Sequence, residues 1–419
     1  MNTYWNFLFS NKAILGFSFI AIFWGNFGQS FFVGSFGEGI QESLSLSSGD
    51  YGLIYSIATL ASAVMVAWFG GAIDRLPLKR FTLIIALGLF FATVILSQAQ
   101  NMASLLLGFF LLRLFGQALL PHAGVTMAAK SFDADRGKAI SIVSSGVPVG
   151  EMILPKLAVF LILMFDWRTV FIFVGLSIPL IFMPLAFRLI RKGFPEAEIK
   201  QSVNDKVGGS TQNTSQPNVK SAGRRAVLSD YRYWLVLPGI MAGPFVVTGI
   251  FIQQPFIIKS MNWTPEWFAT CFIVYGGFHW ASSLVSGLLV DRFKSVNLLP
   301  FFSLPMALAL FIVGNYQGQW VALVMMSLLA VSIGSSPPIT GSLWPEIYGT
   351  KNLGAIRSMN IALMVFATAL SPTLFGKLFD NNVSLAATMN FCGFYVIVGS
   401  ILMFFSYTIN PKRHSHAAS

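Results

Sequence analysis

The stretch SGVPVGEMILPKLAVF, Ser145 to Phe160, places a glutamate and a lysine inside a long apolar run. An acid or base in such a place is a candidate for moving protons or holding an ionic solute, because its charge is expensive there unless something answers it. Arg113, in RLFGQALL, stands deep in another apolar run, and His279 near the middle of a third. Of the 16 Asp+Glu, Glu151 alone falls deep in a run; the other fifteen lie in loops or near run ends. No phosphate-binding P-loop, metal-ligand spacing or nucleophile–base arrangement accompanies these residues, so no catalysis, metal or cofactor is expected.

The elements that must position these charges are membrane helices. The chain has 419 residues, 55% of them hydrophobic and 10% charged, against about 25% charged in an ordinary soluble domain. Its apolar runs are continuous rather than alternating, and each can cross about 30 Å of hydrocarbon, which excludes a β-barrel. The pattern predicts an all-α polytopic membrane protein with twelve transmembrane helices, at 13–36, 50–72, 81–97, 103–128, 139–164, 169–190, 233–257, 265–290, 296–314, 319–344, 357–377 and 384–408. The net charge of +11 belongs to this topology. With the N-terminus inside, 22 of the 27 Lys+Arg fall on the cytoplasmic side and only Arg168, Lys259 and Lys377 on the other. Both termini are therefore expected in the cytoplasm, and nucleic acid is not expected as a partner. The first run is full length and lacks a cleavage pattern, so it is read as a retained span. Cys271 and Cys392 both lie within spans, and no disulfide is expected.

The chain repeats itself. GGAIDR at 70–75 recurs as GLLVDR at 287–292, and the offset of 217 that joins Asp74 to Asp291 also joins Pro121 to Pro338, Gly124 to Gly341, Gly137 to Gly354 and Pro155 to Pro372. Several matches at one offset indicate two pseudo-symmetric six-helix bundles, an arrangement suited to rocking around a central site. The bundles are placed at 1–190 and 233–419, the second with a short cytoplasmic tail, joined by a polar, Gly/Ser/Asn-rich cytoplasmic linker at 191–232.

GGAIDRLPLKR after span 2 resembles the loop signature of the major facilitator superfamily at Gly70, Asp74, Arg75, Lys79 and Arg80. RLFGQALL resembles the arginine motif of that family's fourth helix, with the glycine three residues after Arg113 instead of four. Within the family the pattern resembles bacterial monocarboxylate and oxalate/formate-type carriers, although spans 8 and 11 lack the mid-membrane cation expected of those proteins. The resemblance implies alternating access, with Asp74, Arg75, Asp291 and Arg292 at an inside gate that holds the outward-facing state.

Glu151 lies ~18 Å from either end of its run and Arg113 ~15 Å from the outer end of its own, at 1.5 Å per residue. Their counterparts at the 217 offset are Thr368 and Ala330, so the repeated fold does not itself require charge there. Spans 4 and 5 are consecutive and antiparallel, which predicts a Glu151–Arg113 pair, either as a clamp or as a device that exchanges a proton at Glu151 when solute occupies Arg113. Lys156, about 140° round the helix from Glu151, either snorkels outward or offers a second cation. Asn26, Gln29, Gln117 and His279 are further candidate solute contacts, with interhelix hydrogen bonding or plain packing as their structural alternative.

The expectation is a proton-coupled secondary active transporter, a symporter of the inner membrane, moving a small organic anion such as a monocarboxylate. Its partners would be solute, protons and the lipid bilayer, and it would act as a monomer. The alternatives are a proton-driven exporter of cationic or amphipathic compounds, with Glu151 binding the cation, and a non-transporting membrane sensor.

Overall fold

The computed structural model describes residues 2–132, 135–194, 224–349 and 352–408. Most of the linker therefore lies outside the described residues. Among those described there is helix and no strand. Eleven helices are long and apolar enough to cross a membrane: Lys12–Gly34, Ser48–Asp74, Leu78–Ser97, Met102–Ser131, Arg136–Met164, Trp167–Gly193, Tyr231–Ile252, Pro265–Phe293, Gln319–Tyr348, Ile356–Asp380 and Leu385–Tyr407. The remaining expected span, the ninth, is the shorter apolar helix Leu304–Asn315. Its expected first turns are instead a separate helix, Ser295–Leu298, and a run of turns. Pro300 and Pro305 explain the interruption, since each removes a backbone donor that a continuous helix would use.

Span 1 also departs from the continuous helix expected. It is helical over Lys12–Gly25, tightens to a 3₁₀ turn at Asn26–Gly28, becomes extended at Gln29 (ψ 152°) and resumes at Ser30. Gly25 and Gly28 flank the break, where glycine weakens a helix interior. Span 4 widens into a π-helical stretch at Leu112–Leu119, closed by a bond from the Leu120 N–H back to the Phe115 carbonyl. Pro121 cannot donate to the Gln117 carbonyl, which is reason enough for the register to change here.

The two sets of six spans meet along two seams, span 2 against span 11 and span 5 against span 8. At the end of the bundle away from the linker, the far end, the 2/11 seam is tight. A Cβ on Gly52 would lie 2.1 Å from the Pro372 carbonyl oxygen, and one on Gly376 2.2 Å from that of Ser48. At the linker end the same helices separate. A Cβ on Gly71 or Gly354 would meet nothing within 4 Å, and Trp68 is 80% exposed and Ile361 60%. The halves are closed at the far end and parted toward the linker end.

Candidate functional site

The broken part of span 1 is wedged between spans 4 and 5 and organises the interior of the first half. Gly28 lies flush on the π-helical stretch of span 4, where a Cβ would come within 2.4 Å of the Gln117 nitrogen and 2.5 Å of the Leu112 carbonyl oxygen. The break leaves the Gly28 carbonyl free of a helical partner, and the Arg113 Nη1 donates to it at 3.3 Å. The guanidinium also lies 4.8 Å from the centroid of the Tyr55 ring, a cation–π contact from span 2. Arg113 is buried, at 3% exposure. Its Nε has no hydrogen-bond partner, nor does any carboxylate reach Arg113, among the described residues.

On its other side the break packs against span 5. Asn26 donates through Nδ2 to the Gly146 carbonyl at 2.8 Å, and a Cβ on Gly150 would come within 1.9 Å of that nitrogen. Asn26 is thus interhelix glue in its Nδ2, while its buried Oδ1 has no partner among the described residues. Glu151 follows on the next residue. The expected Glu151–Arg113 pair does not form, because span 1 is inserted between the two helices at this depth. Spans 4 and 5 adjoin instead near their shared turn at the linker end.

Glu151 pairs across the seam. Its Oε2 is 2.7 Å from the Nδ1 of His279 on span 8, and the two side chains are 5% and 14% exposed. The helices approach closely beside the pair: a Cβ on Gly276 would lie 2.4 Å from the Met152 Cγ and 2.6 Å from the Pro148 carbonyl oxygen. Tyr275 covers the pair edge-on, its ring centroid 6.0 Å from that of His279. The Ser282 hydroxyl donates to the His279 carbonyl at 3.1 Å. An imidazole and a carboxylate in this contact can share, take up or release a proton, and every change of charge falls on the boundary between the halves.

The other sequence candidates divide. Gln29 and Gln117 are half-buried at the span 1–span 4 contact. Lys156 is exposed on the outer surface of span 5 with Ile153, Leu157 and Phe160, so it does not join the interior charges. At the linker end Asp74 is ion-paired with Lys130 inside the first half. Arg75 and Asp291 are exposed, and Arg292 lies over the Phe293 ring at 5.2 Å. Tyr55, whose proximity to Arg113 has no sequence signal, is absent from the sequence candidates, and His279, expected as a solute contact or a packed side chain, instead pairs with Glu151. Among the described residues no group of three or more His, Cys, Asp or Glu is placed to hold a metal.

The model of the Major Facilitator Superfamily matches residues 18–372. The chain belongs to that family and is a multi-pass membrane transporter rather than an enzyme. Its curated relatives include the uncharacterized transporter YybO of Bacillus subtilis, 23% identical across 89% of this chain and 88% of that protein. They also include the multidrug resistance protein MdtG of Klebsiella pneumoniae, 32% identical across 34% of each chain. Among solved structures, a bacterial homologue of the human lysosomal transporter Spinster, described as inward-facing and unoccupied, superposes with a TM-score of 0.71 at 16% identity, covering 96% of this chain and 98% of that one. A POT family transporter in complex with 5-aminolevulinic acid gives 0.68 at 12% identity, covering 94% and 96%. At these identities the structures speak for the fold alone.

Proposed function

We propose that this chain is a proton-coupled secondary active transporter of the cell inner membrane, working as a monomer and moving a small organic anion such as a monocarboxylate by alternating access. The observation that carries the anion reading is Arg113: a buried guanidinium whose partners are one backbone carbonyl and one aromatic ring leaves its charge unanswered, and a solute carboxylate would answer it. Gln117, one turn beyond Arg113 on span 4, and Gln29, next to Gly28, would take the solute's polar groups. The Glu151–His279 pair carries the coupling proton, so His279 serves with Glu151 instead of standing alone as a solute contact. Symport follows if one conformation favours the loaded and protonated carrier.

With the linker and termini in the cytoplasm, as the distribution of basic residues supports, the described conformation opens inward. Asp74, Arg75, Asp291 and Arg292 then act in the opposite state, when the linker end closes. The MdtG relatives, named for multidrug resistance, favour a second reading, a proton-driven exporter of cationic or amphipathic compounds that uses Glu151 to bind a cation.

The two are separated by thermal stabilisation of the purified protein, because a ligand that binds the folded state raises its melting temperature. Formate, acetate, lactate and oxalate would be compared with tetraphenylphosphonium. The anion reading expects carboxylate stabilisation in the wild type, and a half-effect concentration about tenfold higher in Arg113→Lys, which keeps the charge but loses the planar fork. Stabilisation by the cation alone would establish the exporter instead.

A further inference from the structure

The far end is held shut by side chains that none of the motifs contains. Span 2 begins at Ser48, and its first-turn Gly49 N–H donates to the Asp380 Oδ2 at the end of span 11, at 2.9 Å. Gln253, fully buried where span 7 ends its long helix, donates through one amide nitrogen to the Ser48 carbonyl at 2.9 Å and to the Pro372 carbonyl at 3.0 Å. It thereby joins both sides of the seam. About two turns deeper the Thr373 hydroxyl donates to the Ser56 hydroxyl at 2.7 Å.

We infer that Asp380 and Gln253 are the far-face gating residues of this transporter. This rests on alternating access but not on the identity of the solute or the coupling ion. Three physical points support it. A carboxylate at a helix start gains from both the free N–H and the positive end of the helix, so Asp380 holds span 2 more firmly than a neutral acceptor would. The Asp380–Gly49, Gln253–Ser48 and Thr373–Ser56 bonds join opposite halves, so each of these three must break for the far end to open, while the Gln253–Pro372 bond holds Gln253 in place within the second half. The latch is also confined to one seam. The counterparts of Gly49 and Asp380 at the 217 offset are Glu266 and Leu163 on the 5/8 seam, which cannot reproduce the bond. The far end is therefore latched on the 2/11 side, and this latch must release before that side can open.

The test is a distance measurement on the full chain in lipid nanodiscs, with spin labels on cysteines at exposed Gln100 and Gln317, one in each half at the far end. Cys271 and Cys392 are buried and stay unlabelled. Wild type gives mainly the short distance. Asp380→Ala raises the ratio of far-open to far-closed molecules about tenfold, the shift expected from losing one charge-assisted bond. Asp380→Asn, which keeps an acceptor oxygen, raises it less, and adding Gln253→Ala to Asp380→Ala raises it further. A lowered melting temperature with an unchanged distance distribution in Asp380→Ala and Asp380→Asn would make these contacts ordinary stabilisation and overturn the gate. Should Gln253→Ala not yield folded protein, the two Asp380 variants decide.

Discussion

The two seams between the halves are built from the same repeat and hold together by different chemistry. Along span 2 and span 11 the helices touch through glycine, with Gly52 against the Pro372 carbonyl and Gly376 against that of Ser48, and the hydrogen bonds sit at the far end. Along span 5 and span 8 the contact is again a glycine, Gly276, but the bond beside it is a buried carboxylate–imidazole pair at mid-depth. The first seam is a backbone contact, closed at the far end and parted toward the linker end. The second holds a buried acid–base pair, whose contact would change on gaining or losing a proton. A rocking carrier needs both, a surface that separates and a joint at which a chemical event can alter the balance between states.

The largest expected effect separates the seams most sharply. In Glu151→Gln the amide oxygen can still accept from the His279 Nδ1–H, so the joint persists without a titrating carboxyl. Gradient-driven accumulation should fall to background, a loss of about a hundredfold or more, while solute counterflow stays within about threefold; proteoliposome assays of both would check this. If Glu151 is only a clamp, counterflow, accumulation and melting temperature fall together, as expected when a buried partner is disturbed.

Gly52→Ala addresses the mechanical seam. Its new methyl carbon would stand 2.1 Å from a backbone oxygen, and backbone cannot turn aside as a side chain can, so the far end should no longer close fully. Counterflow and uptake should both drop, by about tenfold, with the same pH dependence as wild type. A rate within twofold of wild type would show that this approach is not needed for transport.

The smallest effect is expected at Lys156. It lies five residues beyond Glu151 on the same helix but on the exposed surface. Lys156→Gln should leave accumulation and anion stabilisation within about twofold of wild type. A loss comparable to that of Glu151→Gln would mean that the charged function of this seam extends to the outer face of span 5.

Much of this was legible before any coordinates. Length and hydropathy set the number of spans, the 217-residue offset revealed the duplication, and the cost of burying charge singled out Glu151 and Arg113, because these follow from composition and chain order alone. The partners of those charges were not legible. Consecutive antiparallel spans are neighbours at their shared turn, but whether they remain so ~18 Å deeper depends on which third helix is inserted between them. Here the break at Asn26–Gln29 lets span 1 enter, gives Arg113 a carbonyl and turns Glu151 toward the other half. Asp380 reads in sequence as one more acid at a helix end, and only the packing of span 11 on span 2 gives it the Gly49 N–H. Composition and chain order fix which residues carry unusual charge and how deep they lie. Tertiary structure decided what answers each charge, because hydrogen bonds and ion pairs act over about 3 Å while the residues that make them lie tens to hundreds of positions apart.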